Sequence, residues 1–293
     1  MLKKIVAGGN MNRNYLQGAI DTHVHSAPDV RERKMSDLDL VDAAVSRGVR
    51  AIVIKSHHVP TVGRAGIANE YCRKTFGEET GFEMFGGITL NQFVGGLNPW
   101  AVETALKMGG KIVWLPTVHS EQQTKREHKD GAVICVRDGK VVPELISIMK
   151  LVKEYDVALA TAHLSPYDIF TIVEEAKNLG LKKIVINHPE SNLVGLTLEE
   201  QKHLALDYGV KLERCYAQPI GGGKYKGNLE DNLLAMKEIG SEHLIIATDA
   251  GQTQNPYWYE SFGESIRYMA EHGASNEDLD AMVKRNPAYI LGI

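Results

Sequence analysis

Three features of the sequence predict an α/β chain folded as a (β/α)8 barrel. Eight apolar, β-branched runs recur, mostly about 30 residues apart, each followed by an amphipathic helical stretch. No glycine-rich dinucleotide fingerprint follows the first run, which weighs against an open doubly wound sheet. The histidines gather at the C-terminal ends of the runs, where such barrels place their chemistry.

The runs lie at 19–26, 49–57, 82–90, 111–119, 157–165, 182–189, 210–218 and 243–251, after a lead-in of 18 residues. Helix punctuation separates them. Ser36 caps a helix whose Leu38, Val41 and Val45 share a face, with Gly48 beyond its end. Asn98-Pro99 and Ser165-Pro166 each join a cap to proline at the first helical position. Thr197-Leu198-Glu199-Glu200 fits a capping box, and Asn228 precedes a helix reaching Gly240. Two closing helices are expected over 261–273 and 275–285. The longest interval, between runs four and five, contains 131–142, a small β-hairpin turning at Asp138-Gly139 in the fourth βα loop.

The chain has 293 residues, 43% hydrophobic and 24% charged, an ordinary balance for one large domain spanning 1–293. The net charge of -4, with no acidic or basic block, gives no reason to expect a nucleic-acid or membrane partner. Cys72, Cys135 and Cys215 are far apart and form no CxxC pair, which fits a reducing cytoplasm. The apolar stretch before Gly8-Gly9-Asn10 is too short for a secretory signal, and no run is long enough to span a membrane.

His23 and His25 stand at i and i+2 at the end of the first run, so a strand points both to one face, where two imidazoles can share a divalent ion. Of 11 histidines, seven fall at or just past run ends: His23, His25, His57, His58, His119, His163 and His188. His128, His203, His243 and His272 do not, and His243 precedes its strand, at the opposite face. Asp249 ends the eighth run, where an inward carboxylate needs a cation.

Histidines ending runs one, five and six, with an aspartate ending run eight, resemble the amidohydrolase superfamily over nearly the whole chain. The closing Asn286-Pro287-Ala288-Tyr289-Ile290-Leu291-Gly292 is similar to that of phosphotriesterase-like and TatD-like members. The resemblance implies one ion held by His23, His25 and Asp249. His163 and His188 would hold a second, or contact substrate. Zinc leads, with Mn, Fe, Co or Ni also compatible with such ligands. It implies a hydrolase that activates water against an amide, ester, lactone or related bond of a small molecule, with Asp249 and His188 moving protons. The same barrel also supports metal-dependent decarboxylation of a small aromatic acid, or metal binding without catalysis.

One departure stands out. Many binuclear members carry a carboxylated lysine or a glutamate at the end of strand four. Here the fourth run has only Lys111, at its wrong end, and no glutamate before Glu121. Lys55 and His57 share parity at the end of run two. His57 is therefore a replacement metal ligand. Lys55 is a bridging group if carboxylated, a cation for an anionic substrate, or a partner for Asp249 or Asp21. Arg31 and Arg33, His119, Trp114 and Trp258 are candidate substrate contacts, and the glycine-rich 221–227 is a candidate phosphate loop or lid. A homo-oligomer is compatible with the sequence, which shows no interface signature.

Overall fold

A computed structural model describes residues 14–221 and 224–293, so the lead-in up to 13 and Gly222-Gly223 of the glycine-rich stretch lie outside the described residues. In chain order the strands are β1 (Ile20–Val24), β2 (Ala51–Ile54), β3 (Glu83–Phe85), β4 (Gly87–Thr89), β5 (Ile112–Trp114), β6 (Val136–Arg137), β7 (Lys140–Val141), β8 (Ala158–Ala160), β9 (Ile184–Asn187), β10 (Lys211–Cys215), β11 (Ala217–Gly221), β12 (Lys224–Gly227) and β13 (Leu244–Ala247). Every one of the eight expected runs contains a strand, and the third contains two.

The strands pair in parallel as β1-β2-β3 and as β4-β5-β8-β9-β10-β13. Gly86 separates β3 from β4 inside one run. A side chain on the next residue, Gly87, would stand 2.0 Å from the Ile112 carbonyl, so only glycine permits this approach to β5. At the other margin β13 lies beside β1. Asp249 N–H donates to the His23 carbonyl at 2.9 Å, and His25 N–H donates to Ala250 at 2.8 Å. Continuous pairing therefore breaks at Gly86 and thins to isolated bonds between β13 and β1.

The helices are α1 (Asp37–Val45), α2 (Val62–Phe76), α3 (Pro99–Lys107), α4 (Glu121–Glu127), α5 (Pro143–Glu154), α6 (Pro166–Asn178), α7 (Leu198–Tyr208), α8 (Leu229–Ile239), α9 (Trp258–Glu271), α10 (Asn276–Asp280) and α11 (Asn286–Leu291). Side chains of Ser36, Asn98, Ser165, Thr197 and Ser275 cap α1, α3, α6, α7 and α10, satisfying otherwise orphaned N–H groups. Asn228 stands at the start of α8 but makes no cap bond, because its amide reaches Glu190 and Asn232. Helix α9 starts at Trp258, three residues before the expected Ser261. The last expected helix stops at Asp280, and a π-helical turn over Ala281–Arg285 leads into α11.

Two loops differ from expectation. The hairpin is confined to two residues per arm, β6 with β7, around Asp138 and Gly139, both at positive φ. The seventh run ends early. After Cys215 the chain leaves the sheet, and the described parts of 217–227 form the antiparallel pair β11-β12 instead of an open loop.

Inward-facing Val53, Phe85, Trp114 and Ile245 form a buried cluster closed by Ile290 and Leu291 of α11. Asn286 donates to the carbonyls of Ser241 and Leu244, which fixes α11 at the N-terminal ends of the strands. Burying Ile290 and Leu291 there stabilises the fold by about 2 kcal/mol each. The opposite, C-terminal end is left to polar groups. Among the described residues no helix is long and apolar enough to cross a membrane.

Candidate metal centre

Strand β1 carries a register irregularity between Asp21 and Val24, which lets the consecutive residues Thr22 and His23 turn toward one carboxylate, Glu213 of β10. Thr22 Oγ1 donates to Glu213 Oε2 at 2.6 Å. His23 Nδ1 donates to Oε1 at 2.8 Å, and Asn187 Nδ2 donates to the same oxygen at 2.7 Å. Burial would raise the Glu213 carboxyl, but His23 beside it and these donors pull it down to about 2. It is therefore anionic and accepts only, so the proton of a neutral His23 lies on Nδ1. The lone pair on Nε2 points into the site.

That lone pair stands 3.3 Å from Asp249 Oδ1. Two acceptors face each other, and only a cation beside them makes the contact favourable. Lys55 supplies one, with Nζ donating to His23 Nε2 at 3.1 Å. His25 Nε2 lies 3.2 Å from the same Asp249 oxygen. Donor atoms about 2.1 Å from one ion, at right or tetrahedral angles, stand about 3.0–3.4 Å apart. His23, His25 and Asp249 thus fit a divalent ion in both donor chemistry and spacing.

The backbone is strained where these groups are presented. Asp249 has φ 49°, His188 φ 29° and Ala162, beside His163, φ 52°, all in a region costly for non-glycine residues. Gly251 has φ 124°, and a side chain there would meet the His25 carbonyl at 1.9 Å, so glycine alone lets the loop after β13 cross over His25.

The remaining histidines are held in turn. His57 stacks on His25, ring centroids 4.8 Å apart, and its Nδ1 lies 2.9 Å from Thr117 Oγ1. Asn91 ties that hydroxyl to the His57 carbonyl. Gln123 Nε2 donates to Glu127 at 2.7 Å, which leaves Oε1 to accept from His163 Nδ1 at 2.6 Å. The Nε2 of His163 is therefore the free acceptor. His188 packs 5.0 Å from the His163 ring and 6.0 Å from the His23 ring. Burial, first of all, then neighbouring positive charges, holds His25 and His57 well below the usual imidazole value. Burial likewise lowers His163 well below it and brings His188 to about 4. These four rings are neutral at physiological pH, the form that binds metal. Asp249 is pushed up by burial but drawn below the ordinary carboxylate value by His23, His188 and Lys55.

Lys55 is fully buried, and its ammonium sits 5.6 Å from the Trp114 ring that floors the site. Desolvation lowers its pKa, opposed by Asp249 and Glu213. The outlying candidates fall elsewhere. Trp258 is 2% exposed and donates from Nε1 to Asp21 Oδ2 at 2.9 Å, so it supports β1 from beneath instead of walling a pocket. His119 packs edge-on against Phe93, centroids 4.7 Å apart, at the margin with His58. Arg31 is exposed, whereas Arg33 is anchored by Asp29 at 2.7 Å and lies 3.3 Å from His25 Nδ1.

Residues 18–213 match a family described as "Family of unknown function (DUF6282)". The chain belongs to that family. Among curated proteins none matches its sequence. Solved structures match over nearly full length at low identity. An amidohydrolase from Pseudomonas aeruginosa is 13% identical with a TM-score of 0.66, covering 96% of this chain and 98% of that one. An amidohydrolase from Burkholderia multivorans is 10% identical with a TM-score of 0.57, covering 94% and 99%. A 2,6-dihydroxybenzoate decarboxylase from Rhizobium is 12% identical with a TM-score of 0.55, covering 94% and 99%. The chain shares the fold of these structures, a parallel-stranded α/β fold with helices outside.

Sequence reasoning overlooked Glu213, Gln123 and the Asn91-Thr117 pair. Two signals were available. Glu213 lies inside the seventh apolar-bounded run, between Leu212 and Cys215, where a carboxylate at a strand position needs a partner, which is the same argument that singles out Asp249. Ser120-Glu121-Gln122-Gln123 has capping-box spacing, and Ser120 does cap α4, the helix that delivers Gln123 to His163. Asn91 and Thr117 carry no comparable sequence mark.

Proposed function

We propose that this protein is a metal-dependent hydrolase of a small molecule, working with one divalent ion at His23, His25 and Asp249. The observation that carries the reading is the pair of acceptors, His23 Nε2 and Asp249 Oδ1, facing each other at 3.3 Å with His25 Nε2 beside them. A divalent ion there supplies the charge that polarises a substrate oxygen and acidifies water near neutral pH. Zinc suits this donor set. The flanking strands read as one (β/α)8 ring, since eight parallel segments follow in spatial order and β13 returns to β1. The three cysteines, free and buried, favour a cytoplasmic setting.

Asp249, anionic at neutral pH, accepts the proton of attacking water and returns it to the leaving group. His163 offers Nε2 toward the reacting face because Gln123 occupies its other nitrogen, and His188 beside it is neutral and able to accept a proton. His57, stacked on His25, shields that ligand from solvent. Arg31, exposed after β1, draws anionic substrates toward the strand ends.

Metal content per chain, measured by elemental analysis on untagged protein, tests the reading. About one equivalent, with water-derived ¹⁸O entering the products of an ester, lactone or amide panel, is the expected result. Turnover of aromatic acids to CO₂ without ¹⁸O incorporation would make the protein a decarboxylase instead. Absence of metal after reconstitution would remove the enzyme reading.

A further inference from the structure

Glu213 belongs to no motif that suggested the site, yet it is buried and bonded to three residues from two other strands, Thr22 and His23 of β1 and Asn187 of β9. We propose that Glu213 is a positioning residue that fixes His23 as the Nδ1–H tautomer and so aims its Nε2 lone pair at the ion. The inference deepens the metal-dependent reading and rests on His23 being a ligand.

The bonding leaves Glu213 little other role. Its Oε2 accepts from Thr22 at 2.6 Å, and its Oε1 accepts from both His23 at 2.8 Å and Asn187 at 2.7 Å. Cys215 Sγ is 3.9 Å from both Glu213 Oε1 and His23 Nδ1, so His23, Glu213 and Cys215 form a second cluster of metal-binding residue types. That cluster is already satisfied by hydrogen bonds on the carboxylate and on Nδ1. An ion there would have to displace the His23 and Asn187 bonds together. An acidic group bonded to the far nitrogen of a ligand imidazole fixes the ring's orientation and increases its basicity. Thr22 and Asn187 hold the carboxylate so that it cannot rotate away. Sitting on β10, Glu213 also makes the seventh strand contribute to a site whose other groups come from elsewhere.

The test uses the full chain. Zn²⁺ affinity is measured by competition with a chromophoric chelator for wild type, E213Q and E213D, with melting temperature alongside. E213D keeps the charge but is one methylene too short to reach His23. E213Q keeps an acceptor and loses the charge. The expected result is weaker Zn²⁺ binding by about 10–100-fold in E213D, with E213Q about tenfold weaker than wild type. In metal-free wild type, ¹⁵N spectra of the His23 ring, assigned by its loss in H23Q, should show Nδ1–H, and E213D should show a mixture. A merely structural role would lower the melting temperature without moving the tautomer. The proposal is overturned if E213Q and E213D bind Zn²⁺ as tightly as wild type, or if wild-type His23 carries its proton on Nε2. A wild type with the Nδ1–H tautomer that binds no Zn²⁺ would overturn the metal reading and with it the aim of the positioning.

Discussion

Lys55 and a divalent ion at His23 would compete for the same place. The ammonium nitrogen is 3.1 Å from His23 Nε2 and fully buried. An ion bonded to that nitrogen at about 2.1 Å would lie within about 5 Å of Nζ. At an effective dielectric of about 20, a unit charge and a double charge so placed repel by about 7 kcal/mol, or about five powers of ten in affinity. No surface screening relieves this, so Lys55 would have to give up its proton for an ion to bind there. Burial, which already lowers its pKa, brings that deprotonation within reach. K55M removes the competitor at similar volume. Zn²⁺ affinity near pH 6 should therefore rise by at least tenfold, and binding should release about one proton fewer than in wild type. Isothermal titration in two buffers of different ionisation enthalpy measures both quantities. Equal affinity and equal proton release would refute the reasoning. Weaker binding in K55M would refute it in a specific way, because it would mean that Lys55 serves as a ligand, as a carboxylated lysine does.

Three further outcomes are expected. H23A and D249A should lose most bound metal while H243A, at the opposite end of β13, retains it. Elemental analysis decides this, and equal loss in all three would point to general instability. Asp21 is raised to about 6 from 3.8 because burial outweighs its donors, so the folded protein binds a proton between those values that the unfolded chain does not. Its contribution to stability is full at low pH and is lost as pH rises through 6. The urea-unfolding difference between wild type and D21N should therefore move toward wild type by about 2 kcal/mol between about pH 7 and 4.5, and parallel profiles would contradict the assignment. G251A places a methyl against the His25 carbonyl at positive φ, so it should destabilise the fold by about 3 kcal/mol or more and reduce metal content. A melting temperature within a degree of wild type would contradict it.

What the sequence determined by itself is periodic or local. Alternation and spacing located eight strand segments, and four of the five predicted caps, all but Asn228, make the expected bonds, because a capping side chain needs only the N–H groups two or three residues ahead. Strand parity put His23 with His25, and Lys55 with His57, on shared faces. The rest was decided by partners far apart in the chain. Glu213 meets His23 across 190 residues, and Trp258 meets Asp21 across 237. Gln123 reaches His163 from a short helix in a loop, and Trp258, expected at a pocket wall, went beneath the strands because its N–H found a buried carboxylate. The ladder break at Gly86 and the register irregularity in β1 depend on how closely neighbouring strands approach, which no single segment encodes. Local pattern chose which residues reach the strand ends. Only the assembled strands decided which nitrogen of His23 and of His163 faces the site, because a ring's tautomer is set by the acceptor behind it, and Glu213 and Gln123 come from elsewhere in the chain.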